Sequence, residues 1–270
     1  MKWTAEAEDL LKKVPFFVRK KVRTRVEKET KEAGKTVVSP AEVKATQKRF
    51  LAGQQSDIQG YRIETCFGPG GCPNRAVIGD QLITRIEANL KTADLLGFLK
   101  RSVEGDLKYH HEFRVNLAGC ANACSQPQIK DIGIIGAAVP ETGAAACTGC
   151  GACVDACNEK AIALREEDEV PTIDYRRCLN CGRCVAVCPS GTLHSTCRGF
   201  RVQLAGKLGR HPRLARELPG IYTADETVRI VTDCLTLYKQ RSTGGRRFAE
   251  IFTADDFDAF CRKYLGQNCE

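Results

Sequence analysis

The stretches "CTGCGACVDAC" at residues 147–157 and "CLNCGRCVAVCP" at residues 178–189 decide how this chain is organised. Each places four cysteines with the spacing C-x2-C-x2-C-x3-C, and crowded thiolates of this kind are ligands for soft metals and iron–sulfur clusters. Three thiolates two residues apart along a tight loop can reach three corners of one cubane. The fourth lies too far along the chain and reaches the other cubane. The two runs therefore predict two 4Fe–4S clusters that exchange one ligand each.

This spacing is that of bacterial ferredoxins with two clusters. Zinc is a weaker interpretation, because structural zinc sites seldom use four cysteines this crowded twice in succession. Gly151 and Gly182 follow the second cysteine of each run and let backbone amides approach the sulfides. The segment between the runs predicts a hairpin. The two predicted ligand sets are Cys147, Cys150, Cys153 with Cys188, and Cys178, Cys181, Cys184 with Cys157.

Composition restricts the class of protein further. The chain has 270 residues, of which 43% are hydrophobic, so it can bury a real apolar core. Its sixteen cysteines are clustered in a long chain whose start, "MKWTAEAEDL", has no signal-peptide core, which argues against a secreted disulfide scaffold. No apolar run is long enough to span a membrane. We therefore predict a cytoplasmic protein without a membrane span, from an anaerobic or strongly reducing cell.

Residues 1–54 form a predicted helical domain of their own. Residues 1–50 hold 14 Lys and Arg against 7 Asp and Glu, a net charge of +7, and so contribute nearly all of the chain's +8. Three helices are predicted, at about 4–13, 16–33 and 40–51, because Thr4 and Ser39 can cap helices and Pro15 and Pro40 stand at helix starts. This segment contains no cysteine.

The basic face of the second helix, "RKKVRTRVEKETK" at residues 19–31, allows several interpretations. It is either a solvated surface or a docking site for an acidic redox partner. Nucleic acid is not predicted as a partner, since the segment has no recognition motif and no interleaved aromatic residues. From Trp3 to Val43 the sequence resembles the small helical domain of the B subunit of dark-operative protochlorophyllide reductase. That resemblance places the module beside tetrapyrrole and iron–sulfur chemistry and prompts a further idea, a tetrapyrrole-handling accessory.

A second group of cysteines precedes the ferredoxin-like runs. "CFGPGGC" at residues 66–72 and "GCANAC" at residues 119–124 each hold two cysteines, and neither pair completes a four-ligand site alone. Apolar residues between the pairs follow helical spacing over 82–103, whereas 113–117 alternates like a half-buried strand. The stretch "IKDIGIIG" at 129–136 predicts another strand. The pairs therefore lie in loops beside regular structure, in an α+β fold.

Together these pairs resemble the siroheme and 4Fe–4S site of the sulfite and nitrite reductase family, in particular its anaerobic and dissimilatory members. The resemblance covers roughly residues 60–252, including "GCANACSQPQIKDIGIIG", the ferredoxin insert and "GFRVQLAGKLGRHPRLARELPG" at 199–220. It implies a third cubane on Cys66, Cys72, Cys120 and Cys124. It also implies a catalytic role for Cys124, as the bridge to the siroheme iron.

Siroheme carries eight carboxylates and its substrates are oxyanions, so such a site requires basic side chains. Lys207 and Arg210 match a family loop by position, in "GKLGRHP". Arg75 and Arg201 are further candidates for cofactor binding. Cys197, Cys234, Cys261 and Cys269 fit no spacing rule and are interpreted as free thiols.

The resemblance implies a domain order for the whole chain. We expect a helical protochlorophyllide-reductase-like module at 1–54, a sulfite reductase-like α/β domain at 55–140 and 191–270, and an inserted bacterial-type ferredoxin at 141–190. Family members carry a further ferredoxin-like half upstream of the first cysteine pair, and here the helical module takes that space. Either another chain, in a homo- or hetero-oligomer, completes the siroheme site, or the macrocycle has been lost while the clusters remain.

Two main functions follow from these motifs. The first is a sulfite or nitrite reductase, or a subunit of one, in which ferredoxin clusters deliver electrons to a siroheme-coupled site. The second is an electron-transfer protein with three 4Fe–4S clusters and no siroheme. Both require a redox partner, a ferredoxin or another electron donor.

Overall fold

The computed structural model describes residues 1–66, 72–167 and 169–265, with the backbone alone for 51–56. The chain divides into two compact units. One consists of Met1–Ile58 with Asp106–Tyr109, and the other of Gln59–Gly105 with His110–Glu270.

The N-terminal unit is helical, as its sequence predicts, and also contains one short pair of parallel strands. Helices α1, α2 and α3 correspond to the three predicted helices. In chain order the elements are β1 (Lys2–Trp3), α1 (Ala5–Lys12), α2 (Phe16–Glu32), β2 (Val37–Val38) and α3 (Pro40–Ser56).

Local capping explains where these helices begin. The Thr4 hydroxyl accepts a hydrogen bond from the Ala7 amide at 3.3 Å. The Ser39 hydroxyl accepts one from the Ala41 amide at 3.2 Å, while Glu42 accepts one in return from the Ser39 amide at 2.9 Å. Such side-chain caps satisfy amides that have no partner within the helix.

The second unit is built on a five-stranded mixed sheet in the order β3-β4-β5-β8-β9. Strands β3, β4 and β5 run parallel, whereas β8 and β9 join antiparallel. Its elements, in chain order, are β3 (Tyr61–Thr65), α4 (Asp80–Thr92), α5 (Leu95–Ser102), β4 (Phe113–Ala118), β5 (Ile132–Thr142), α6 (Ala152–Ala156), β6 (Ile162–Leu164), β7 (Pro171–Ile173), α7 (Arg183–Val187), β8 (Leu193–Leu204), β9 (Arg216–Glu217), α8 (Ala224–Arg241), α9 (Phe248–Ile251) and α10 (Ala254–Lys263).

One face of this sheet forms the apolar core with the helices. Val115 and Ile134 of the sheet, Ile86 of α4 and Ile230 of α8 are all fully buried there. Helix α4 carries the predicted apolar spacing on its buried side. The predicted strands at 113–117 and 129–136 correspond to β4 and to the start of β5.

The two ferredoxin-like cysteine runs lie in the connection between β5 and β8. These strands pair antiparallel from Ile132 with Leu204 to Thr142 with Leu193. The connection contains the predicted hairpin, as β6 pairs antiparallel with β7. The short helices α6 and α7 each begin after a glycine with positive φ, Gly151 at 72° and Gly182 at 70°. A residue with a Cβ would be strained at either position.

Candidate functional site

The cysteine pairs of the first group meet at the ends of two parallel strands. Cys66 directly follows β3, and Cys120 lies just beyond the end of β4. The Cys66 amide donates a hydrogen bond to the Leu117 carbonyl at 3.2 Å, and the Gly119 amide donates one to the Cys66 sulfur at 3.2 Å. Because parallel strands end at the same edge of a sheet, the two loops lie side by side.

The other three thiols of this group lie within electrostatic reach of Cys120. Burial raises the pKa of the Cys120 thiol, and the neighbouring Cys72, Cys66 and Cys124 thiols raise that pKa further. Cys124 is exposed, whereas the other three are partly buried. We call Cys66, Cys72, Cys120 and Cys124 the third cysteine set.

The ferredoxin-like insert brings its cysteines together in two crossed sets. The pKa of Cys184 is raised to about 12, mainly by burial, and the Cys178, Cys181 and Cys157 thiols contribute to that rise. Cys157 belongs to the other run of the sequence and yet lies beside these three. We call Cys178, Cys181, Cys184 and Cys157 the middle set.

Of the remaining four cysteines, Cys188 of the second run lies beside Cys147 and Cys153 of the first run. Burial raises the pKa of Cys153, and the Cys147 and Cys188 thiols add to this shift. Burial alone would also raise the pKa of Cys188, but hydrogen bonds from the Leu193 amide, the Ser190 hydroxyl and neighbouring amides lower it instead. We call Cys147, Cys150, Cys153 and Cys188 the entry set.

The chemistry of these sets suits iron–sulfur clusters. None of the twelve cysteines is used in a disulfide. Polar hydrogens point at several of the sulfurs: amides of Ala161, Asn180 and Leu193 donate to Cys157, Cys178 and Cys188 at 3.3–3.4 Å. Hydrogen bonds of this kind stabilise cluster thiolates and help to set the reduction potential. The donor sets therefore fit three cubanes.

A single metal ion suits them less well. Within residues 1–66, 72–167 and 169–265, no three His, Cys, Asp or Glu side chains converge closely enough to hold one ion. A zinc ion needs its thiolates at about 2.3 Å from one centre. A cubane, with an iron at each of four corners, holds its thiolates further apart.

One cavity connects the middle set with the third set. Its volume is about 580 Å³, and its wall includes all four cysteines of each. None of the entry-set cysteines lines it. The remaining polar wall includes Asn74, Asn122, Asn158, Glu159 and Arg183.

The middle set is fixed to the sheet by the backbone. The Ala138 amide of β5 donates a hydrogen bond to the Asn180 carbonyl at 2.8 Å, and Ala138 forms a parallel bridge with Cys181. The Tyr175 hydroxyl donates to the Pro140 carbonyl at 2.9 Å. Neither the spacing of residues nor any motif in the sequence predicts these contacts. The same is true of the Asn122 side chain, which donates to the Cys124 sulfur at 2.9 Å.

Two of the four predicted cofactor-binding bases already pair with carboxylates of this chain. Arg201 forms a two-point ion pair with Glu217, at 2.6 and 2.9 Å, and Lys207 pairs with Glu250 at 3.0 Å. Arg75 lies beside the third set, since a Cβ built on Gly119 would meet the Arg75 Cβ at 3.0 Å. Neither Arg75 nor Arg210 lines the cavity.

Of the residues predicted to bind siroheme, Cys124 is therefore the one whose sulfur is suitably exposed. An exposed Cys124 is suited to bridge a cluster to a haem iron. Two of the four predicted bases, Arg201 and Lys207, already neutralise carboxylates of this chain, and neither lines the cavity at the third set. We derive no reaction step through siroheme.

One of the four cysteines predicted to be free thiols is not free. Cys197 is bonded in a disulfide, which corrects that prediction. Disulfides join residues that are close in space, and such a pairing leaves no spacing pattern in a sequence. Cys234 and Cys261 are free. Cys269 lies outside the described residues.

A mixed helix and sheet fold with three groups of four cysteines defines an iron–sulfur protein. Comparison with known families then identifies its kind. Residues 61–268 match the nitrite and sulphite reductase 4Fe-4S domain, and the chain belongs to that family. It is an iron–sulfur oxidoreductase of this family.

Two curated relatives have sulfite reductase in their names. The coenzyme F420-dependent sulfite reductase of Methanocaldococcus jannaschii is 29% identical over 192 residues, covering 71% of this chain and 28% of the relative. The C subunit of the anaerobic sulfite reductase of Salmonella typhimurium is 38% identical over 76 residues, covering 28% of this chain and 22% of the relative. The matched regions thus span less than a third of either relative.

The N-terminal segment has a different similarity, as predicted. Residues 3–46 match the family described as proto-chlorophyllide reductase 57 kD subunit. The B subunit of the light-independent protochlorophyllide reductase of Chlorobium limicola is 55% identical over 53 residues, which are 20% of this chain and 10% of that protein. Among the helices that the structure describes, none has the length and apolar character required to cross a membrane.

Proposed function

We propose that this chain carries electrons through three 4Fe–4S clusters toward the reduction of sulfite or nitrite. The observation that supports this most strongly is the shared cavity, because it places the middle set next to the third set. Clusters held by these two sets would be direct neighbours. Such neighbours exchange electrons rapidly.

The positions of the sets give the path a direction. The entry set does not line the cavity, and its Cys150 is exposed, so it suits reception of electrons from a donor such as a ferredoxin. The middle set follows, since Cys157 belongs to the same run as three cysteines of the entry set. The third set ends the path, and its exposed Cys124 is the exit.

The residues around the sulfurs prepare the chain for this role. Each bound cluster would supply one-electron redox chemistry. The amides of Gly119, Ala161 and Leu193 point their hydrogens at thiolate sulfurs, and Asn122 does the same at the exit. These donors favour the extra negative charge of a reduced cluster.

Reduction of sulfite or nitrite requires an acceptor beyond Cys124. Siroheme, when bound, would supply an iron at which these oxyanions are reduced. We propose that a second subunit, either another copy or a different chain, supplies most of the basic residues that hold it. Arg75, beside the third set, is this chain's best placed contribution. Arg201 and Lys207 stay as candidates only if their surroundings change on assembly, whereas the exposed Arg210 stays a candidate without such a change.

The alternative function is electron transfer without siroheme. The observation that favours it is the pairing of Arg201 with Glu217 and of Lys207 with Glu250. In that case Cys124 would belong to a cluster that passes electrons to another protein.

An absorption spectrum of anaerobically purified protein separates the two functions. The chain is produced with and without siroheme synthesis, alone and with candidate partner subunits. Porphyrin-type bands together with sulfite or nitrite reduction support the first function. Cluster absorption alone under every condition excludes it and leaves the electron-transfer protein.

A further inference from the structure

Strand β5 has one edge along which two cysteine loops are attached. Its first part pairs with β4, from Val115 with Ile132 to Ala118 with Ile135. Gly119, the residue that follows β4, lies against Gly136: a Cβ built on Gly136 would be 2.5 Å from the Gly119 carbonyl oxygen. The absence of a side chain at Gly136 therefore lets the chain that leads into Cys120 lie directly on β5.

The middle set is attached two residues further along the same strand, at Ala138. The loop of Cys181 runs parallel to β5 at Ala138, whose amide donates a hydrogen bond to the Asn180 carbonyl. The contact is close, since a Cβ on Gly182 would lie 2.9 Å from the Ala138 Cβ. The opposite edge of β5 is occupied by β8, which pairs Ala138 with Arg198.

Because the two attachment points lie two residues apart on β5, they fix the distance between the two cysteine loops. A strand rises about 3.4 Å per residue, so the backbones that carry Cys120 and Cys181 are attached about 7 Å apart along β5. Neither loop can slide, because one is held by the β4 ladder and the other by its own hydrogen bond to Ala138. Both sets of sulfurs then face the same cavity.

We propose that Gly136 and Ala138 are positioning residues for electron transfer, and that their small size sets the gap between the middle and third clusters. This inference rests on the proposed function. In the step concerned, one electron would leave a reduced cluster held by the middle set, which would become oxidised, and would reduce a cluster held by the third set. No bond breaks and no atom is transferred. An external low-potential reductant supplies the electron to the chain.

The test widens the gap without touching a ligand. Ala138→Leu adds a branched side chain against Gly182 and should push the Cys181 loop away from β5. Ala163→Leu is the matched control, because Ala163 is an exposed residue of β6 in the same insert. Ala138→Gly, which keeps the backbone hydrogen bond and adds no bulk, should behave like the wild type.

The measurements are made on the whole, cluster-loaded chain after reduction with dithionite. Iron content reports cluster occupancy, and electron paramagnetic resonance reports the magnetic interaction between neighbouring reduced clusters. We expect Ala138→Leu to retain the iron content of the wild type, to lose the interaction pattern, and to reduce its third cluster more slowly. Ala163→Leu should change none of these.

Two results would overturn the inference. One is a wild type whose middle and third clusters give independent signals, and the other is an Ala138→Leu variant that keeps the interaction at full iron content. If Ala138→Leu loses iron, Gly136→Ala makes the same comparison with a single added methyl group. A wild type without a third cluster would instead contradict the proposed function.

Discussion

The amide of Ala138 donates a 2.8 Å hydrogen bond to the carbonyl of Asn180, and this contact ties the ferredoxin-like insert to the central sheet. Asn180 lies between two cysteines of the middle set, Cys178 and Cys181. The insert is therefore attached at its cysteine loop, where a movement of the backbone would also move a cluster. Its position relative to the third set is consequently part of the fold of this unit.

Cluster content is the first prediction. Anaerobic protein should contain about twelve iron and about twelve acid-labile sulfides per chain, because three sets of four cysteines each hold one cubane. Chemical iron and sulfide analysis measures this directly. About eight of each would contradict the third cluster, and zinc in place of iron would contradict all three.

The third set should respond differently to two similar substitutions. Cys124→Ser should be more damaging than Cys66→Ser, because a hydroxyl can sometimes replace a cluster ligand but is a poor bridge between a cluster and a haem iron. In protein that binds siroheme, Cys124→Ser should lose the porphyrin bands and all sulfite or nitrite reduction. About eight iron should be retained in the insert.

A Cys124→Ser variant that behaves like the wild type would contradict the bridging role. Intact bands and intact activity in Cys124→Ser would show that Cys124 is not the bridge. Cys261→Ser serves as the control, since Cys261 is free, only partly buried and outside the three sets.

The basic N-terminal unit should dock an acidic donor through one end of α2. Phe16 and Phe17 are 82% and 74% exposed, and Lys20 and Lys21 follow them one turn later. These lysines have no carboxylate partner in the described part of the chain. Reversing both charges, in a Lys20→Glu and Lys21→Glu double variant, should slow reduction by an acidic ferredoxin and flatten the dependence of the rate on salt, because exposed charges are screened beyond about 10 Å at 0.1 M.

A matched double variant distinguishes docking from net charge. Lys44→Glu with Lys48→Glu makes the same change of charge on exposed residues of α3. Stopped-flow reduction at increasing salt should leave this control close to the wild type. Equal effects in the two variants would assign the salt dependence to overall charge and leave the basic face as a solvated surface.

The start of α8 offers a test of stability. The Thr223 hydroxyl accepts a hydrogen bond from the Glu226 amide at 3.2 Å, and Glu226 accepts one from the Thr223 amide at 2.8 Å. Thr223→Ala removes this cap and should lower the free energy of unfolding by about 1 kcal/mol. Thr236→Ala, at an exposed position within α8, should change it by less than about 0.5 kcal/mol. Thermal unfolding of the two variants checks the difference.

Local patterns were sufficient to predict much of this fold. The caps at Thr4 and Ser39 depend on residues three positions away or fewer, and the apolar spacing of α4 belongs to one helix. The grouping of Cys157 with the second run was also predictable, because the reach of a tight loop follows from its spacing. Each of these signals is contained within a short stretch of chain.

Contacts between distant segments were not predictable in this way. Lys207 reaches Glu250, 43 residues later, and that ion pair changes the interpretation of a residue chosen for cofactor binding. The bridge from Ala138 to Cys181 likewise depends on how the insert folds back onto β5. Ion pairs and strand bridges of this type arise only after the sheet has formed, and no spacing in the sequence encodes them.

The pairing of Thr142 with Leu193 has a consequence for how the protein is assembled in the cell. These two residues are register neighbours where β5 ends and β8 begins, so the sheet itself holds both ends of the insert together. The entropy of closing a long loop grows only slowly with its length. The sheet can therefore form around an insert that still lacks its metal. We therefore expect delivery of iron and sulfide to the insert to be a local step that is separate from folding of the sheet.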